Sequence, residues 1–111
     1  MQYLLLIYEN EKRFSQGYDE AEMKEYEAFG RQFAKVIKGS NALQATATAK
    51  TVRLRNGNAA TTDGPFAETK EQLGGYYLVD AGDIKEAEKM AAKIPGARFG
   101  SVEIRPIMTF S

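Results

Sequence analysis

Tyr3-Leu4-Leu5-Leu6-Ile7-Tyr8 is an unbroken run of six apolar or aromatic residues, followed by the polar Glu9-Asn10-Glu11-Lys12-Arg13. A run of that length without alternation predicts a strand covered on both faces. Tyr3, Leu5 and Ile7 point one way and Leu4, Leu6 and Tyr8 the other, because side chains alternate along a strand. A layer of helices can cover one set. A chain of 111 residues buries only about two thirds of its unfolded surface, so the natural cover for the second set is a second subunit. Burying three such side chains contributes roughly 5 kcal/mol. A homodimer formed face to face through the sheet, with an isologous two-fold interface, is therefore expected.

The elements that follow supply the helical cover. Residues 9–18 are polar and read as a loop, and Asp19 is placed to cap a helix. Glu22 stands three residues on, at capping-box spacing. Met23, Tyr26, Phe29, Gly30, Phe33, Val36 and Ile37 recur at three- and four-residue steps, which predicts a helix of about five turns closed by Gly39. Tyr26 falls on that apolar stripe and reads as core. Residues 42–49 read as irregular or as a short edge strand. Thr51-Val52-Arg53-Leu54-Arg55 alternates, and Asn56-Gly57 is the favoured pair for a two-residue hairpin turn. Residues 71–80 form a strand in which Gly74-Gly75 marks a bulge. Asp83 caps a second helix with Ile84, Ala87, Met90, Ala91 and Ile94 on its buried side, stopped by Pro95-Gly96. Gly100 precedes a last strand over 101–108. Strand, helix, hairpin, strand, helix, strand is the order of a ferredoxin-like α+β sandwich, with two helices on one face of an antiparallel sheet. All of it fits one domain, 1–111.

Composition removes several classes of function. Hydrophobic residues are 43% and charged residues 27%, ordinary for a globular protein. Fifteen basic residues balance fifteen acidic ones, so no bulk positive charge is available to grip nucleic acid directly. There is no Cys and no His, which removes thiolate chemistry, the commonest general base and the commonest zinc ligands. No metal-ligand spacing and no phosphate loop is present, so no cofactor is expected and any chemistry would be acid–base work by other side chains. The apolar start is too short for a signal peptide or a membrane span and lacks basic residues before it, which predicts a cytoplasmic protein with no membrane partner.

Chemistry-bearing residues gather in Thr61-Thr62-Asp63-Gly64-Pro65-Phe66-Ala67-Glu68-Thr69-Lys70. Turn formation alone accounts for Asp, Gly and Pro at these positions. The functional alternative makes Asp63 a carboxylate in a cleft, acting as general base, with Phe66 as a pocket wall and Lys70 binding an anionic group. Tyr8 could present its hydroxyl to the same pocket. Glu103 and Arg105 share a strand face, either as an ion pair or with Arg105 orienting a carboxylate or phosphate of a ligand. The expected catalytic residue is thus Asp63, and the expected ligand-binding residues are Tyr8, Phe66, Lys70 and Arg105.

The stretch Thr62-Asp63-Gly64-Pro65-Phe66-Ala67-Glu68-Thr69-Lys70-Glu71-Gln72-Leu73-Gly74-Gly75-Tyr76-Tyr77 resembles the signature of the DGPF subgroup of YCII-related proteins. The first strand and Gly100-Ser101-Val102-Glu103-Ile104-Arg105-Pro106-Ile107-Met108 resemble the same family's two ends. The resemblance implies a dimeric ferredoxin-like α/β barrel. Relatives in the wider group carry a His and an Asp as an active-site pair. This chain has no His, so only the Asp part of that role could fall to Asp63. Members of the subgroup also occur alongside sigma factors of the extracytoplasmic-function type. Two functions therefore stand side by side: binding of a small molecule in a dimer-associated pocket, with a possible cofactor-free acid–base step, or a regulatory module whose partner is such a sigma factor.

Overall fold

The computed structural model describes residues 1–110. Strand β1, Gln2–Glu9, is central. It is flanked by β5, Gln72–Asp80, and β6, Ser101–Pro106; β2, Ile37–Ala42, lies beyond β5, so the order is β2-β5-β1-β6. Every pairing is antiparallel. Helices α1, Glu20–Gln32, and α2, Ile84–Ala91, supply the helical layer. This is the ferredoxin-like α+β arrangement, with a hairpin of β3, Lys50–Arg55, and β4, Asn58–Asp63, inserted between the second and third strands of the sheet.

The first strand alternates as its sequence predicts. Tyr3, Leu5 and Ile7 are buried beneath the helices with Phe29, Val79, Ala87, Met90 and Ile94, while Leu4, Leu6 and Tyr8 stay half-buried on the other face. Asp19 caps α1 by accepting from the Ala21 amide at 3.1 Å. At α2, Asp83 accepts from the Glu86 amide at 2.9 Å while the Glu86 carboxylate accepts from the Gly82 amide, a reciprocal cap. Arg98 spans to α1 with a two-pronged bond to Glu25, at 2.6 and 2.8 Å.

Four expectations need correction. The first helix ends at Gln32 rather than Gly39. Phe33, at φ −108° and ψ 19°, leaves the helix, and the chain enters β2, where Ile37 pairs with Val79. Phe33, Val36 and Ile37 still pack on the core, so their apolar spacing outlasts the helix that it imitates. Gly39 therefore lies inside a strand, next to a register shift. Second, the hairpin pairs only with itself and stands off the sheet. The described chain measures 46 × 46 × 19 Å with a radius of gyration of 15.9 Å, against about 13 Å for a compact chain of this size. Third, residues 9–18 are not simply a solvated loop, since Glu9 is buried and Glu11–Phe14 form a short 3-10 turn. Fourth, Glu22 makes no capping box and turns inward to Arg13, 2.8 Å away.

Gly74 is skipped where the β1–β5 register shifts, Ile7 pairing with Gly75 and Tyr8 with Leu73. This is the expected bulge. Asn56 and Gly57, at φ 52° and 79°, make the expected hairpin turn.

Candidate functional site

The structure offers two concave regions, one on each face of the sheet. The register puts Leu4, Leu6 and Tyr8 of β1 beside Leu78, Tyr76 and Leu73 of β5 and beside Arg105, Glu103 and Ser101 of β6. All of these side chains face away from the helices. Where the base of the hairpin leans toward this face it borders an open hollow of about 1210 Å³, whose lining includes Tyr8, Phe66, Lys70, Lys50, Leu73 and Glu103.

Three of the five residues singled out from sequence, Tyr8, Phe66 and Lys70, thus meet at one hollow. Phe66 is 81% exposed, an apolar ring with little protein against it. Arg105 shares the open face but bonds to Glu103 at 3.0 Å and lies outside the lining. Asp63 ends β4, with its side chain 84% exposed and paired with Lys50. Because Lys50 lines the hollow, Asp63 sits one side chain away from it. The next residue, Gly64, has φ +95°, a left-handed conformation that favours glycine. Its amide donates to the Ala49 carbonyl at 2.7 Å and its carbonyl accepts from the Thr51 hydroxyl at 2.8 Å. The Asp-Gly-Pro-Phe turn therefore clamps the base of the hairpin. Asp63→Asn should lower stability by less than about 1 kcal/mol, since an exposed ion pair contributes little. A loss of several kcal/mol on urea unfolding would show that Asp63 holds the hairpin in place.

The second region lies between α1 and the helix-side face of the sheet, a cleft of about 850 Å³. Sequence reasoning missed its polar end. Glu9 and Glu22 are only 6% and 5% exposed. Arg13 lies between them, 3.2 Å from Glu9 and 2.8 Å from Glu22, with its guanidinium 3.7 Å from the centre of the Phe99 ring. The Tyr26 hydroxyl accepts from the Gly96 amide at 3.1 Å. Burial pushes the Glu9 carboxyl above its usual range, partly offset by Arg13, and pushes the Tyr26 phenol up as well, helped by the nearby Glu9 charge. A usable signal was present in the sequence: Glu9 continues the Tyr3, Leu5, Ile7 face, and Glu22 stands four residues before Tyr26 on one side of α1.

A ferredoxin-like sheet with a hairpin arm, one face open and the other closed by helices over a buried carboxylate pair, defines a class of small α+β proteins. The chain belongs to the YCII-related domain family, which it matches over residues 1–111. It is 38% identical over 117 residues to an uncharacterised protein of Rhizobium meliloti (strain 1021), covering 99% of this chain and 94% of that protein. Among the described residues no helix is long and apolar enough to cross a membrane.

Proposed function

We propose that the protein works in the cytoplasm as a homodimer that holds a small molecule in the hollow between the open sheet face and the hairpin. The supporting observation is the open face itself. Leu4, Leu6, Tyr8, Leu73, Tyr76 and Leu78 form one contiguous, half-buried apolar surface. Such surfaces mark interfaces or ligand sites, and two copies packed face to face would cover it and roof the hollow. Lys50 and Lys70 at its edge suit a ligand with an anionic group, and Phe66 suits an apolar body. The catalytic version of this function uses Asp63 as a cofactor-free general base, delivered from its pairing with Lys50.

Sedimentation of the wild type and of Leu6→Asp tests the dimer. Leu6 stands mid-strand on the open face, between Tyr76 and Glu103, so a charge there should convert dimer to monomer at micromolar concentration. A wild type that is already monomeric overturns the interface. A thermal-shift screen of small carboxylates and phosphates, with Lys70→Ala as control, tests the ligand, because a molecule that binds only the folded state raises Tm by mass action.

A second function is supported by the arm. Val52 and Leu54 lie on one face of the hairpin and are 64% and 66% exposed, a small apolar strip suited to a protein partner. The family resemblance points to an extracytoplasmic-function sigma factor. Co-purification that survives Leu6→Asp but is lost in Val52→Ser/Leu54→Ser would favour this function over the first.

A further inference from the structure

We propose that the cleft between α1 and the sheet is a second binding site, and that its ligand is an organic ammonium ion with an apolar body. The first observation is its charge. Glu9, Glu11, Asp19, Glu22 and Glu27 all line the cleft, and no Lys or Arg does. In a chain whose formal net charge is zero, that is a strong local excess of negative charge. Low-dielectric walls focus such a field and concentrate cations.

The second observation is that the buried end is unsatisfied. Among the described residues, Glu22 Oε1 is buried without a partner, while Glu9 Oε1 and Arg13 Nη1 meet only in an ion pair at 3.2 Å that lacks hydrogen-bond geometry. Two carboxylates share one guanidinium there, leaving a net negative charge where charge is costly to hold. A fully closed structural cluster would not leave the Glu22 oxygen bare, whereas a donor carrying a positive charge satisfies it and offsets the excess.

The third observation is the shape. Gly75, paired with Ile7, lies in the floor of the cleft, where a side chain would press on the Asn41 backbone of β2 at 3.0 Å. Phe14, Tyr18, Tyr26 and Tyr77 line the walls, and aromatic faces attract cations. Among the described residues no group of three carboxylates converges as a metal site. The negative charge is spread along the cleft, which suits a polyatomic cation held by hydrogen bonds and ring faces. Burial raises the Glu9 carboxyl, and Arg13 offsets this only in part.

Isothermal titration with benzylamine, and with its near-isostere benzyl alcohol, tests this on the full chain. Benzylamine should bind with a Kd at least tenfold below that of benzyl alcohol, and added salt should weaken it. Glu22→Gln should raise that Kd at least tenfold. Glu27→Gln, an exposed change at the rim that leaves the core intact, should raise it several-fold and keeps the test valid if Glu22→Gln fails to fold. Lys70→Ala, on the opposite face of the sheet, should leave it unchanged, so this site and the hollow succeed or fail separately. Equal affinity for amine and alcohol, or amine binding indifferent to Glu27→Gln, overturns the proposal.

Discussion

Gly100→Ala is expected to lower stability by about 3 kcal/mol, seen as a fall in the urea midpoint without loss of cooperativity. A Cβ built on Gly100 would overlap the Tyr8 carbonyl oxygen and lie 3.0 Å from the Glu9 Cγ. The obstacle is backbone of the central strand. Moving it would disturb β1 where it pairs with both β5 and β6, so the clash cannot be relieved by turning a side chain. Gly100 is also anchored from its own side, its amide donating to the Gly96 carbonyl at 2.9 Å. The control is Gly39→Ala, where a Cβ meets nothing within 4 Å. That change should be neutral or slightly stabilising, because it removes freedom from the unfolded chain. Equal midpoints for the two variants would mean that the end of β1 is not tightly packed against Gly100.

Arg13→Ala should cost about 3 kcal/mol at neutral pH, since removing the cation leaves two buried carboxylates uncompensated. Its dependence on pH is the sharper signature. The folded Glu9 carboxyl already lies above its unfolded value, with desolvation the largest cause and Arg13 opposing it. The folded state therefore binds more protons than the unfolded state between those two values. The stability associated with Glu9 is fully present below the unfolded value, about 4.3, and is lost as pH rises through the folded one. Deleting Arg13 removes the opposing influence, which widens that window and steepens the loss. The variant should approach the wild type in acid and fall away from it toward neutrality. Glu9→Gln should go the other way, flattening the wild-type decline with rising pH. Parallel curves of unfolding free energy against pH for wild type and Arg13→Ala would show that the cluster is not electrostatically coupled.

Much of the fold was legible because burial on one side leaves a periodic mark. The run from Tyr3 to Tyr8, the Asp caps at 19 and 83, the Asn56-Gly57 turn and the bulge at Gly74 each rest on local chemistry that acts within a few residues. The first helix was overextended for the same reason. Phe33, Val36 and Ile37 touch the core whether helical or not, and spacing alone does not separate a helix from a turn that feeds an edge strand. At the hollow, Tyr8, Phe66 and Lys70 were each named from sequence, and the structure groups them. Arg105 was named too and is instead held by Glu103.

The residues of the acidic cleft were hidden by ordinary appearances. Glu9 and Arg13 stand in a polar segment, and Glu22 stands in the first turn of a helix, where an acid suits the dipole. Only the fold brings them together, by setting the end of β1, the turn after it and the face of α1 against one another. By itself, then, the sequence determined the class of fold, the two-faced central strand and the residues of the Asp-Gly-Pro-Phe turn, since these follow from alternation, capping and backbone torsion. Tertiary structure alone decided which charges are buried and which face of the sheet stays open. Burial and proximity depend on residues far apart in the chain; local pattern marks the inward face of Glu9 and Glu22 but not the partner that meets them there.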